Sequence, residues 1–80
     1  MTVTVKYFGL LTDVTQTTEE QFSLAVSGIS VNQLKNEITQ KYPLINQSNF
    51  TIAVNQSVVS RDVILNNNDV MALLPPFAGG

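Results

Sequence analysis

Residues 30–43 constrain the fold more than any other stretch of this chain. Ser30 is followed three residues later by Gln33. In that pattern the serine side chain accepts the third amide of a helix and the glutamine reaches back to the serine amide. Val31, Leu34, Ile38 and Tyr42 then form one apolar stripe on a helix predicted over 31–42. Asn32, Lys35, Asn36, Glu37, Gln40 and Lys41 fill the other faces. Pro43 ends the helix, since it lacks an amide hydrogen and disfavours helical backbone at the residue before it. A helix with a single apolar stripe has to lie on something, and the remainder of the chain reads as strand.

Val3, Val5 and Tyr7 alternate with Thr4, Lys6 and Phe8, the period-2 pattern of a first strand. With the valines facing the core, Phe8 falls on the polar face beside Lys6. Gly9 breaks the strand, and Leu10, Leu11 and Val14 fit one helical turn before a polar loop. A second strand is predicted over 21–26, with Phe22, Leu24 and Val26 on one face, antiparallel to the first. After a polar loop at 46–49, Phe50, Ile52 and Val54 alternate with Thr51, Ala53 and Asn55 in a third strand. Asn55, Gln56 and Ser57 read as a turn into a short fourth strand around Val58 and Val59. Asn66, Asn67, Asn68 and Asp69 form a turn cluster, because Asn and Asp tolerate left-handed backbone and bond their own chain. The last strand, 70–74, is continuously apolar, the pattern of a strand buried on both faces.

Eighty residues make one core. The order β-β-α-β-β-β gives an α+β protein, a mixed sheet of about five strands under one main helix. The most apolar strand, the last, belongs at the centre beside and parallel to the first. That is a ubiquitin-like β-grasp over residues 1–74, with 75–80 as an extended C-terminal tail thrown clear of the body.

Composition excludes several roles. The net charge is −2, and Lys6, Lys35, Lys41 and Arg61 are scattered, so neither nucleic acid nor an anionic membrane is the expected partner. No apolar run is long enough to span a bilayer, and the first residues alternate like a strand rather than a signal peptide, which makes the cytoplasm the expected location. Without cysteine there is no disulfide, thiolate metal site or thiol nucleophile. Without histidine the usual general base and the commonest nitrogen ligand are missing, so no metal is expected. Asp13, Glu19, Glu20 and Glu37 read as solubilising charge, and Arg61 with Asp62 as a solvated turn pair.

The ending is more specific. Pro75 and Pro76 cannot donate to a ladder, so they stop pairing at Leu74 and hold the chain extended. Phe77 and Ala78 precede Gly79 and Gly80, whose lack of side chains lets a terminal carboxylate thread a slot too narrow for a Cβ. The bland alternative is a frayed end without a role.

Val5-Lys6-Tyr7-Phe8, the stretch 53–59, and the stretch 65–80 with its Asp69-Val70, Pro75-Pro76 and Gly79-Gly80 pairs carry a family likeness. Through them the chain resembles the small subunit of molybdopterin synthase, the MoaD family of ubiquitin-like sulfur carriers, over nearly its whole length. Asn68 stands where that family commonly has Gly, and Val70 where it commonly has an acid. The resemblance implies that an ATP-dependent adenylyltransferase activates the Gly80 carboxylate and that sulfur replaces AMP to give a thiocarboxylate. It implies that the large synthase subunit accepts the tail, in a heterotetramer of two small and two large subunits. Two carriers then supply sulfur to cyclic pyranopterin monophosphate, forming the dithiolene of molybdopterin. The catalytic residues are expected on the large subunit, with no cofactor bound by this chain and ATP used by the activating enzyme. Phe8, Val58 and Leu74 are the expected docking residues, and Phe77 the tail anchor. The competing readings are a thiamine-type sulfur carrier and a non-catalytic β-grasp interaction module.

Overall fold

The computed structural model describes residues 1–24 and 28–75, so the expectations for Val26, Pro76, Phe77, Ala78, Gly79 and Gly80 lie outside the described residues. The elements are β1 (Thr2–Tyr7), α1 (Leu11–Thr15), β2 (Glu19–Ser23), α2 (Val31–Lys41), a 3₁₀ helix (Pro43–Gln47), β3 (Thr51–Val54), β4 (Ser57–Val58) and β5 (Val70–Leu74). They form one sheet in the order β2-β1-β5-β3-β4, with β1 and β5 parallel and the other neighbours antiparallel. β5 therefore sits centrally beside β1, the ubiquitin-like arrangement expected from the element order.

The helix start forms as its residues dictate. The Gln33 amide donates to Ser30 Oγ at 3.1 Å, and the Ser30 amide donates to Gln33 Oε1 at 2.8 Å. Val31, Leu34 and Ile38 are buried against Val3, Val5, Tyr7, Met71 and Leu73 from the sheet. The helix stops one residue earlier than 31–42, because Pro43 drives Tyr42 out of helical backbone to φ −129°. What reads as a polar loop begins instead as the 3₁₀ turn. Pro43 pre-sets its first φ, and Ile45, fully buried, pins it to the core.

Two further differences concern strands. β2 begins at Glu19, not at residue 21, and pairs Lys6 with Glu19, Val5 with Glu20 and Val3 with Phe22. Glutamate has poor strand propensity, but a ladder formed by backbone groups overrides it. β5 is not buried on both faces: Met71 and Leu73 are buried, whereas Val70, Ala72 and Leu74 are half-exposed. One helix covers only one side of the sheet. The apolar run on the other side needs a different explanation.

The turns bear out their residues. Asn55 and Gln56 have φ of 49° and 73°, the doubly left-handed pair that closes a two-residue hairpin between β3 and β4. Asn68 is left-handed at 71°. Asn55 donates to Asp69 Oδ1 and accepts from the Val70 amide, both at 3.0 Å, while Asp69 Oδ2 accepts from the Asn66 amide at 2.8 Å. This clasp ties the hairpin to the turn that feeds β5.

Candidate functional site

The face of the sheet away from α2 is graded from polar to apolar. Register places Lys6 beside Ala72, Ala72 beside Ala53 and Ala53 beside Val58 in one row across four strands. On the β2 side Lys6 faces Glu19 and Thr4 faces Gln21. On the β5 side Val70, Ala72 and Leu74 line the same face by period two. The Phe8 amide donates to the Leu73 carbonyl at 3.2 Å, extending the β1–β5 ladder by one residue and setting Phe8 next to Leu74.

Phe8, Val58 and Leu74 thus share one face. Phe8 is 43% and Val58 60% exposed, and Leu74 is half-buried. They are not one tight cluster: Val58 lies three strand spacings from β1, about 14 Å away. They lie on the face that α2 does not cover. Leu10, Leu44 and Ile64 are also exposed large apolar side chains; Leu10, expected in the helical turn with Leu11 and Val14, precedes α1 and faces solvent. Leu10 belongs to a shallow cleft of about 260 Å³ with Leu11, Ser48, Asn49 and Pro75, beside the point where the tail begins.

Pro75 is exposed and follows β5 directly. Gly9 approaches it so closely that a Cβ on Gly9 would lie 2.8 Å from Pro75 Cγ, and Gly9 has a left-handed φ of 60°. The close approach excludes a side chain unless Pro75 shifts, and the left-handed backbone further favours glycine. Gly9→Val is expected to displace Pro75 and to cost at least about 1–2 kcal/mol from backbone strain alone. A thermal unfolding curve measures that loss.

The titratable groups that shift most lie elsewhere, between the sheet and the end of α2. Tyr7 donates to Glu20 Oε1 at 2.7 Å, Tyr42 to Glu20 Oε2 at 3.1 Å, and Lys41 pairs with Oε2 at 2.9 Å. The two tyrosine rings meet edge to face at 6.1 Å. Burial pushes the Tyr7 hydroxyl far above its ordinary value, reinforced by its bond to the carboxylate. Burial also works to raise Glu20, but the bonds from Lys41, Tyr7 and Tyr42 outweigh it and hold the carboxyl below its usual range. Glu20 is therefore not solubilising charge. Its opposition to Val5 turns it to the helix side, where it accepts from the hydroxyl of Tyr7 on β1, the hydroxyl of Tyr42 at the end of α2, and the Lys41 ammonium. The signal for it is the buried Tyr7 hydroxyl, which needs an acceptor, but the partner follows only from the β1–β2 register.

Asp62 is likewise more than half of a solvated pair: its Oδ1 accepts from the Asn32 amide at 2.9 Å, capping the first turn of α2. Among the described residues no three His, Cys, Asp or Glu side chains gather as metal ligands, and no helix is long and apolar enough to cross a membrane.

Similarity to known proteins covers the whole chain. The ThiS family model matches residues 5–80. The molybdopterin synthase sulfur carrier subunit of Mycobacterium tuberculosis is 30% identical over 80 residues, covering 98% of this chain and 96% of that protein. A molybdopterin converting factor subunit 1 from Pyrococcus furiosus superposes with a TM-score of 0.86 at 29% identity, over 95% of this chain and 98% of the other. The complex of subunits 1 and 2 of molybdopterin-converting factor from Helicobacter pylori contains a chain with a TM-score of 0.72 at 24% identity, both chains being fully covered.

Proposed function

The chain belongs to the ThiS family, and on that premise we propose that it is the sulfur carrier subunit of a molybdopterin synthase. The observation that carries this reading is similarity to the Mycobacterium tuberculosis sulfur carrier subunit over nearly the full length of both chains, with Gly79-Gly80 inside the family match. Gly80 is the reacting residue. A carboxylate is a poor electrophile, so an ATP-dependent adenylyltransferase first joins it to AMP and releases pyrophosphate. Sulfur at the sulfide level then displaces AMP, leaving a terminal thiocarboxylate. That sulfur passes to cyclic pyranopterin monophosphate, and two carriers complete one dithiolene. ATP is consumed by the activating enzyme, and the catalytic side chains belong to the large subunit.

The body of the chain serves this chemistry by presentation. Residues 1–74 dock through Phe8, Val58 and Leu74. Pro75 and Pro76 project the tail, Phe77 anchors it in the large subunit, and Ala78 and Gly79 let it pass a narrow slot. The working assembly is a cytoplasmic heterotetramer of two small and two large subunits. The half-exposed apolar residues of β5 support the docking role, because this chain's own helix leaves them uncovered.

Intact-mass measurement after co-expression with the adenylyltransferase and a sulfur donor tests the chemistry. A species heavier by the difference between sulfur and oxygen is expected; its consistent absence with a competent activating enzyme ends the proposal. The ThiS match favours one second reading, sulfur delivery to a thiamine-type pathway. Complementation of strains lacking either carrier separates the two. For docking, Phe8→Ala is expected to weaken association with the large subunit by about 2 kcal/mol, roughly 30-fold, as for an aromatic anchor. Titration calorimetry reads that change.

A further inference from the structure

We propose that Lys6 reads a carboxylate on the docking partner: the groove beside it receives an apolar side chain flanked by an aspartate or glutamate. The inference rests on the docking role assigned to this sheet face and adds its charge chemistry. The groove, about 380 Å³, is lined by Lys6, Phe8, Asn55, Gln56, Val70 and Ala72. β5 supplies its apolar floor, β1 one wall, and the β3–β4 turn the other. Lys6 is the one charged side chain lining it.

The nearby acids are otherwise placed. Asp69, at the head of β5, has both oxygens engaged by Asn55 and Asn66. Glu19 faces Lys6 across the β1–β2 ladder, on the side away from the groove. The one ion pair among the described residues joins Lys41 to Glu20, so Lys6 and Glu19 are unpaired there. The other cations are also committed or distant. Lys41 holds Glu20, Lys35 lies 5.5 Å over the Phe50 ring, and Arg61 lies in the connection after β4.

Docking would remove water from the Lys6 ammonium. Pressing it against an apolar surface is costly, and within the groove, which Glu19 does not line, a carboxylate on the partner offsets that cost. The same residue therefore selects against partners that lack an acid at this point. The apolar floor and the Phe8 ring specify a hydrophobic neighbour for that acid.

Titration calorimetry of the full chain against the large subunit encoded in the same genome tests this at low and high salt. Lys6→Glu is expected to weaken binding about 30-fold or more, by placing like charges in contact. Lys6→Met is expected to lose a few-fold at low salt and to flatten the salt dependence. Lys35→Glu, an equal charge change on α2, is expected to bind like the wild type. Lys6→Met should unfold near the wild-type midpoint. Lys6→Glu, in contrast, faces Glu19 across the ladder and Lys35→Glu loses its place over the Phe50 ring, so binding is compared well below every variant's melting temperature. If Lys6→Glu binds like the wild type while Phe8→Ala is weakened, carboxylate reading is overturned and the docking face stands. If Lys35→Glu loses as much as Lys6→Glu, net charge explains the effect and the inference is overturned. If the wild type itself does not bind, the docking reading falls and this one falls with it.

Discussion

Removal of Gly80 alone is expected to abolish thiocarboxylate formation and sulfur transfer while leaving the unfolding midpoint unchanged. In the proposed chemistry the sulfur-bearing carboxyl is that of Gly80, so the shortened chain would present a carboxylate one residue short. A fully extended residue spans about 3.5 Å. That displacement is larger than the error an activated carboxyl tolerates, since misplacement of about 1 Å can already cost about 100-fold. Stability should be untouched because the core consists of residues between Val3 and Leu73. Intact mass after co-expression with the adenylyltransferase reads the first outcome, and a melting curve the second. A truncated chain that still acquired sulfur would place the chemistry somewhere other than the terminus. A truncated chain that unfolded early would make the tail part of the fold.

Much of the fold was legible because local signals agreed with each other. The Ser30–Gln33 pair, the stripe through Ile38 and the break at Pro43 each point to one helix, and the helix is there. Val3, Val5 and Tyr7 alternate cleanly because one face of β1 meets that helix. The signals misled where apolarity came from a surface rather than a core. Val70 to Leu74 read as doubly buried, yet alternate residues of β5 are half-exposed, so a continuous apolar run also marks a face left open. Charge misled in the opposite sense. Glu20 looks like solvated surface in the sequence, and only the register with Val5 turns it toward Tyr7. At the candidate site, Phe8 stood out by breaking its strand's polar face, and the structure leaves it exposed there. The groove beside Lys6 was not legible, because it needs β1, β5 and the Asn55–Gln56 turn in one place.

Glu20→Ala, at a part-buried position, should be the most destabilising change outside the apolar core. It removes the acceptor of Tyr7, Tyr42 and Lys41 at once. The loss falls chiefly on Tyr7, which is 2% exposed and would keep a hydroxyl with no partner. Leaving such a group unsatisfied costs about 1–3 kcal/mol. A domain of this size loses about 4–8 °C of melting temperature per kcal/mol, so the shift should be plain in a thermal melt. Tyr7→Phe removes the stranded donor, and the double variant should therefore lose less than the two single changes added together. The same network sets the pH range of stability. Glu20 has a lowered folded pKa, so its contribution is complete above the ordinary carboxyl value of about 4.3 and fades as pH falls below it. Tyr7 has a raised one, so above about pH 10 the unfolded chain releases a proton that the folded chain retains, and stability falls as pH rises. Glu20→Gln should flatten the acid limb. Because this network lies on the helix side and Phe8 on the other, Glu20→Ala chain held well below its melting temperature should bind the large subunit as the wild type does. A loss of binding there would mean that the two faces of the sheet are mechanically coupled.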